Sequence, residues 1–296
     1  MPDVKGPFGR MAVDLVRNRL FIPAEESNTV VVVDMGEKKI SRRLEGLTGP
    51  RSVIHLPGID MIAVSCAGDG KVHVLDGSGL TETRSVEIGK DPGAMVFDPS
   101  SRLIYVGYAK PAIALFDPTD GKRGKNIELV AVPEMLCMEH EGKRLFANVP
   151  IVLHVAVIDR EKNLPTTTWL VRGARGNRAL ALDELHQRLF VGCREPGAVV
   201  VLDSTSGKAI AKIDVGKDCD SVWHDPVGSR LYASSGDGTI SIIRQDSPDK
   251  YERIAQTSTA KGAGSSFWVK ETRTIYVPIP GEDGKPAELR AYKVAP

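Results

Sequence analysis

The chain has 296 residues, of which 42% are hydrophobic, 5% aromatic and 26% charged, and its formal net charge is +1. The ordinary apolar and charged fractions exclude wholesale disorder. The near-zero net charge argues against nucleic acid as a partner, because such binding needs a basic face. No uncharged apolar run approaches the roughly 18 residues of a membrane span, so we also expect a chain that does not span a membrane.

Apolar runs opened by a polar, usually basic, residue recur along the chain. Their first residues are separated by 41 to 44 positions: Arg19, Asp60, Arg102, Arg144, Arg188, Arg230 and Arg273. A second marker keeps the same phase: Val32-Val33-Asp34, Val74-Leu75-Asp76, Leu115-Phe116-Asp117, Val157-Ile158-Asp159 and Val201-Leu202-Asp203. Two markers in one phase indicate a sevenfold internal repeat.

Each copy holds about four short apolar runs that are separated by turn residues. In the fifth copy these runs are 179–182, 188–191, 198–202 and 210–215. Four strands at a period of about 40–45 residues are typical of a β-propeller blade. The sequence therefore predicts an all-β, seven-bladed propeller of four-stranded antiparallel blades, as one domain over residues 1–296. The predicted blades are approximately 10–48, 49–90, 91–131, 132–174, 175–217, 218–260 and 261–296.

The two markers together have the form [RK]-[LI]-[FY]-V followed by V-x-V-[IL]-D. This form resembles the YVTN-type β-propeller repeat of bacterial periplasmic and cell-surface proteins, and the resemblance covers essentially the whole chain. It implies the propeller fold and an exported, periplasmic or secreted protein, although the N-terminal residues lack the apolar core of a signal peptide. It implies no particular activity.

The repeat phase predicts an incomplete last blade. The seventh copy ends with its third strand, from Glu288 to Val294, and only Pro2-Asp3-Val4 could overlap the fourth. We expect an upstream segment to supply that strand, and the alternative is a three-stranded blade. An open strand edge is a template for edge-to-edge self-association. We therefore expect a neighbouring molecule or a folded-back N-terminus to cap it.

The links between blades predict where a ligand would bind. In a four-stranded blade, the link and the loop between the second and third strands lie on one face, so the links surround one mouth of the channel. The charged residues expected there are Arg10, Arg51, Glu134, Arg178, Asp218 and Asp220. Arginine presents a planar fork that suits carboxylate or phosphate, which favours a small anionic ligand or a protein partner. The alternative is that these arginines pair with nearby acids and bind nothing.

The sequence offers no recognisable metal site or cofactor site. Among the six histidines, His55, His73, His140, His154, His186 and His224, only His55 and His140 share a repeat phase, and their copies are not adjacent. The Gly-Asp-Gly loops at 68–70 and 236–238 predict tight turns, because calcium needs six to eight oxygen ligands. Cys219 stands between two aspartates, which should raise the pKa of its thiol, and we expect it to be buried and unreactive.

No catalytic residues can be assigned, because the sequence contains neither a nucleophile elbow nor a phosphate-binding glycine loop before a helix. The main hypothesis is therefore a non-catalytic binding or protein-interaction propeller. Two alternatives stay open. One is a metal-assisted hydrolase or lyase acting on a lactone or sugar acid, and the other is an accessory subunit of a periplasmic redox enzyme.

Overall fold

The computed structural model describes Met1 and residues 3–282 and 284–295. It confirms the prediction of an all-β, seven-bladed propeller: six antiparallel sheets have four strands, and the seventh has three. Within those residues the helical segments are four 3-10 turns of three residues each, Glu25–Ser27, Pro57–Ile59, Pro150–Val152 and Lys270–Thr272. None of these turns has the length needed to cross a bilayer.

Within every blade the strands follow chain order from the inner strand to the outer strand. The first three blades comprise β1 Ala12–Asp14, β2 Arg19–Ala24, β3 Thr29–Asp34, β4 Lys39–Leu44; β5 Pro50–Leu56, β6 Met61–Cys66, β7 Lys71–Asp76, β8 Glu82–Glu87; β9 Met95–Asp98, β10 Leu103–Gly107, β11 Ala112–Phe116 and β12 Ile127–Glu128. The next three comprise β13 Met135–Met138, β14 Arg144–Val149, β15 His154–Asp159, β16 Leu164–Leu170; β17 Arg175–Asp183, β18 Arg188–Glu195, β19 Ala198–Asp203, β20 Ala209–Asp214; β21 Cys219–Asp225, β22 Arg230–Ser235, β23 Thr239–Ser247 and β24 Lys250–Ser258. The seventh comprises β25 Phe267–Val269, β26 Thr274–Ile279 and β27 Glu288–Lys293.

The chain divides into two compact units, Met1–Val130 with Pro280–Leu289 and Ala131–Ile279 with Arg290–Pro296. In the first unit, Phe21 of β2 and Val64 of β6 belong to one buried cluster that joins the first two blades. In the second unit, Phe190 of β18 and Leu231 of β22 similarly join the fifth and sixth blades. The core of each unit therefore lies between successive blades.

The strand sequences reflect this packing. Four valines of β3 are buried, because both faces of the strand are covered by neighbouring blades and a continuous β-branched run is then favoured over alternation. The outer strands β4 and β24 are polar and largely exposed. Each blade therefore buries its middle strands and presents a polar outer edge.

The aspartate of the second sequence marker caps the turn between the third and fourth strands. In the first blade, Asp34 Oδ1 accepts hydrogen bonds from the backbone N–H groups of Gly36 and Glu37, both at 2.9 Å. Aspartate commonly stabilises turns in this way. The same bonding recurs at Asp76, Asp117, Asp159 and Asp203.

The first sequence marker was aligned incorrectly in three copies. The structural equivalents of Arg19 are Met61, Leu103 and Thr274, because each of these residues opens its strand opposite the end of the inner strand. Asp60, Arg102 and Arg273 occupy the preceding turn, where φ is 49°, 59° and 47°. The repeat requires a left-handed residue in this turn, and a charged residue beside an apolar run does not reveal whether it lies in the turn or in the strand.

Where the marker arginine is present, its side chain forms hydrogen bonds with the next blade. Arg19 donates to Asp14 Oδ2 at 2.7 Å and to the carbonyl groups of Gly77 and Ser78 in the second blade. The equivalent arginines of the second unit each donate to a carbonyl of the following blade: Arg144 to Ser204, Arg188 to Pro248 and Arg230 to Ala295. The most repeated charged residue is therefore structural.

The seventh sheet ends with β27 among the described residues, in agreement with the missing fourth strand. The Met1 ammonium group donates to the Ala287 carbonyl at 2.6 Å, so the N-terminal residue contacts the residue that precedes β27. The proposed overlap with a fourth strand involved Pro2, which lies outside the described residues.

Candidate functional site

The links between blades contain a recurrent left-handed residue. Gly49, Asp91, Gly176 and Asp218 have φ of 62°, 60°, 61° and 56°. Asp218 is exposed, and its backbone N–H donates to the Arg194 carbonyl at 3.2 Å. Aspartate tolerates this conformation better than most residues, so the turn accounts for Asp218 without any ligand.

In the first unit, Arg51 lies between two carboxylates. Its Nη2 is 3.1 Å from Glu25 Oε1, and its Nη1 is 3.0 Å from Asp91 Oδ1. Arg10 is joined to the same strand through its backbone, whose N–H donates to the Arg51 carbonyl at 2.8 Å. The positive charge of Arg51 is therefore already compensated.

In the second unit, Glu134, Arg178, Asp220 and Arg194 form a row of alternating charge, here called the charge row. Arg178 Nη1 is 3.2 Å from Glu134 Oε1, and its Nε is 3.6 Å from Asp220 Oδ1. Arg194 binds Asp220 through two hydrogen bonds, of 2.9 and 3.1 Å. The structure thus brings together three of the sequence-predicted residues, Glu134, Arg178 and Asp220. An incoming anion would have to displace a carboxylate there.

Arginines without an ion pair to any described residue occur instead beside a surface pocket of the second unit. This pocket, called the Arg172 pocket, has a volume of ≈ 430 Å³. It is lined by the link between the fourth and fifth blades and by the loops between second and third strands: Leu153, Leu170, Val171, Arg172, Gly173, Ala174, Arg175, Glu195 and Pro196. The pocket therefore lies on the link side of its blades, where the topology predicted a binding site.

Arg172 and Arg175 carry the charge of this pocket. Both are exposed, and within the described part of the chain neither side chain has an ion pair or hydrogen bond. The lining also includes the buried Val171 and Ala174, and Glu195 is its single acid. Two unpaired guanidinium groups beside an apolar surface can bind an anion that also carries an apolar part.

Sequence reasoning overlooked this pair because it took residues at a fixed distance before each inner strand. Arg178 stands one residue further out than Arg10 and Arg51, whereas Arg172 and Arg175 stand earlier still in the link. A usable signal was present: the link segment 171–176 contains two arginines and no acid. This signal marks an excess of positive charge, but it does not show which arginines are paired, because the partners of Arg51, Glu25 and Asp91, come from other segments of the chain.

A second chemically distinctive group lies in the first unit, on the hairpin of β6 and β7. Cys66 Sγ, an Asp69 carboxylate oxygen and a His73 ring nitrogen lie within 4.8 Å of one another. His73 is buried, with Nε2 2.8 Å from Asp69 Oδ2 and Nδ1 2.9 Å from Glu82 Oε2. Burial raises the pKa of the Cys66 thiol, and the nearby carboxylates of Asp69 and Glu82 raise it further.

The sequence analysis missed this group because it compared histidines only with one another. Its single phase match was also wrong: His55 lies within β5 opposite Ile62, whereas His140 follows the end of β13. The signal available in the sequence was the mixed spacing Cys-x2-Asp-x3-His across a predicted strand, turn and strand.

The remaining local expectations concern turns and thiols. The Gly-Asp-Gly loops are turns with φ of 74° at Gly70 and 89° at Gly238, as predicted. Cys219 is fully buried, and burial is the main cause of its raised pKa, with smaller contributions from Cys193 and Asp220. The expectation of a raised pKa at Cys219 is confirmed, although desolvation exceeds the effect of the flanking acids.

No protein-family model and no curated protein matches the chain. One similar solved structure is the Kuenenia stuttgartiensis hydrazine synthase, with 16% identity, a TM-score of 0.85, and coverage of 99% of this chain and 97% of that chain. Another, titled mitotic checkpoint complex, has 15% identity, a TM-score of 0.82 and coverage of 99% and 92%. Likeness at these identities supports the fold alone.

Proposed function

We propose that this protein is a non-catalytic binding propeller that takes a small organic anion, or an acidic group of a protein partner, in the Arg172 pocket. The observation that carries the proposal is the pair of exposed arginines, Arg172 and Arg175, which have no partner among the described residues and stand beside a partly apolar lining. Arg10, Arg51, Glu134, Arg178, Asp218 and Asp220 then contribute to the polar face rather than supply the free positive charge.

The lining favours particular ligands. Each guanidinium can form two parallel hydrogen bonds with a carboxylate or phosphate. Glu195 would repel a second negative charge but accept a hydrogen bond from a hydroxyl or amino group. The preferred ligand class is therefore a small carboxylate with a nearby hydrogen-bond donor and an apolar portion, or a peptide segment with the same groups.

We expect the charge row to orient a protein partner rather than to increase the affinity for that partner. Its four members compensate one another through distances of 2.9 to 3.6 Å. Complementary charge patterns mainly set specificity and the rate of encounter. We therefore expect substitution of Arg178 to change selectivity among protein partners while leaving small-anion affinity nearly unchanged.

The proposal is tested by calorimetric titration with hydroxy- and amino-carboxylates and inorganic phosphate. Each of Arg172→Gln and Arg175→Gln should weaken binding about five- to tenfold, the loss expected for one charge-assisted hydrogen-bonding group of about 1–1.4 kcal/mol at an exposed site. The control is Arg102→Gln, because Arg102 is also exposed but lies in a turn of the first unit. Equal weakening in the control, or unchanged binding in the double variant, would contradict the proposal.

We also propose that the chain belongs to the YVTN-type repeat proteins and is exported. The support is the pair of repeat markers, which recur along the chain at the starts of second strands and the ends of third strands. Fractionation of cells that express the gene with its natural upstream sequence should place the protein in the periplasm or the medium. Retention in the cytoplasm would refute the export proposal without affecting the fold.

The role of accessory subunit in a redox enzyme stays a second candidate. Its support is the similarity to a structure named hydrazine synthase, which at 16% identity carries the fold and not the activity. Affinity purification from the native host should recover a haem or quinone protein in a fixed ratio if this role is correct. Recovery of the protein without any such partner would argue against it.

A further inference from the structure

We infer that Cys66, Asp69 and His73 form a binding site for one zinc-class divalent cation, with Glu82 as the residue that orients His73. The hairpin of β6 and β7 supplies all three donors. Val64 is opposite His73 in the register, so Cys66 and His73 project from the same face of the hairpin. Asp69 stands in the connecting turn between them, and its Oδ1 accepts a hydrogen bond from the Lys71 N–H at 3.1 Å.

The surroundings of His73 are suited to a cation. A neutral imidazole has one donor nitrogen and one acceptor nitrogen. Both nitrogens of His73 face carboxylate oxygens, at 2.8 Å for Asp69 and 2.9 Å for Glu82. If Nδ1–H donates to Glu82, the lone pair of Nε2 points at an oxygen of Asp69. A metal ion between Nε2 and that oxygen would accept both lone pairs.

Cys66 distinguishes the metal from the proton. Its side chain is fully buried beside this carboxylate, and within the described residues its thiol has no hydrogen-bond partner. Two other buried thiols do have such contacts, Cys193 with the Val191 carbonyl and Cys219 with the Ser221 carbonyl. A protonated His73 would satisfy Asp69 and Glu82 but leave the sulfur unused, whereas a metal ion would use all three donors.

The distances fit such a cation after small side-chain rotations. Zinc bonds of about 2.0–2.1 Å to nitrogen or oxygen and about 2.3 Å to sulfur place tetrahedral ligands about 3.3–3.6 Å apart. The three donor atoms already lie within 4.8 Å of one another, so displacements of about 1 Å suffice. A thiolate with an imidazole favours zinc or cobalt over magnesium and calcium. A water molecule would complete a four-coordinate site.

Binding must release protons. The metal replaces the thiol proton of Cys66 and any proton on His73 Nε2, and these protons pass to solvent, so no oxidant or reductant takes part. Because the thiol must lose its proton before it can bind the metal, affinity should rise with pH. Glu82, which holds Nδ1–H, is a positioning residue, and loss of such a partner typically costs 10- to 100-fold in metal affinity.

The test titrates chelator-treated full-length protein with Co²⁺ and then Zn²⁺. We expect one equivalent of Co²⁺ to produce a thiolate-to-cobalt charge-transfer band, and one equivalent of Zn²⁺ to abolish it. Cys66→Ala and His73→Gln should lose the site, and Glu82→Gln should weaken it 10- to 100-fold. The matched control is Cys193→Ala. Cys193 occupies the equivalent place in the fifth blade, where Pro196 and Val200 replace Asp69 and His73.

A second variant protects the test against misfolding. Asp69→Asn keeps the acceptor that the Lys71 N–H needs and alters a half-buried turn residue. Zn²⁺ should raise the melting temperature of the wild type, as for any ligand that binds only the folded state, and should raise that of Asp69→Asn much less. The inference is overturned if the wild type shows no stoichiometric band, or if Cys66→Ala and Cys193→Ala behave alike. This outcome is independent of the Arg172 pocket.

Discussion

Replacement of Arg19 by methionine tests whether the repeat arginine holds neighbouring blades together. Arg19 donates to Asp14, to Gly77 and to Ser78, and the last two belong to the second blade. Methionine keeps much of the apolar stem and removes the charge and all the donors. The effect should therefore report these bonds rather than packing.

The expected destabilisation is about 3 kcal/mol. A hydrogen bond to a charged group contributes about 1.5–3 kcal/mol, and the Arg19 side chain is only 13% exposed, so solvent replaces little of it. The bond to Asp14 and the bonds to the second-blade carbonyls count as two such interactions, each at the lower end of about 1.5 kcal/mol, because Arg17 still donates to the buried Asp14. With an unfolding entropy of about 2.1 cal/mol/K per residue, this loss lowers the melting temperature by about 5 °C.

The measurement is urea unfolding followed by tryptophan fluorescence, together with calorimetry. Arg102→Met is the matched control, because Arg102 is exposed in the equivalent turn of the third blade and was the residue that sequence comparison aligned with Arg19. The control should change the unfolding free energy by less than about 0.5 kcal/mol. If Arg19→Met destabilises the protein no more than Arg102→Met does, the hydrogen bonds of Arg19 do not stabilise the contact between the blades.

Three further results follow from single residues. Burial alone would raise the pKa of Asp183, but hydrogen bonds from neighbouring side chains hold it below the usual value. Its contribution to stability is therefore complete above about pH 5 and lost as the pH falls through the carboxyl range, so Asp183→Asn should flatten melting temperature against pH between about 5 and 3. A Cβ on Gly197 would lie 2.0 Å from the Gly216 carbonyl oxygen, so Gly197→Ala should destabilise the fold by several kcal/mol. A Cβ on Gly58 would have no neighbouring atom within 4 Å, so Gly58→Ala, the control, should be neutral or slightly stabilising. Burial raises the pKa of Cys219, so a thiol reagent should modify it only at the rate of unfolding, and rapid labelling of the native protein would contradict its burial.

The sequence by itself determined the number of blades and the order of their strands. Two markers recur about every 42 residues, and each reports a local requirement that reappears in most copies, the aspartate in five of the seven. The aspartate that ends β3, for example, accepts hydrogen bonds from the backbone of the turn that follows it. A local requirement of this kind involves residues that are close together in the sequence, so the period of the repeat is sufficient to identify it.

The structure decided which charged residues are free. Arg51 and Arg172 both stand in links between blades, yet Arg51 lies between two carboxylates, and Arg172 has no ionic partner among the described residues. Ion pairing depends on residues brought near by the packing of blades, and it is decided by distances of a few ångströms that sequence spacing does not encode. The Cys66, Asp69 and His73 cluster has the same origin: the hairpin register and the bend of the turn, rather than any repeat phase, place three different donor groups together.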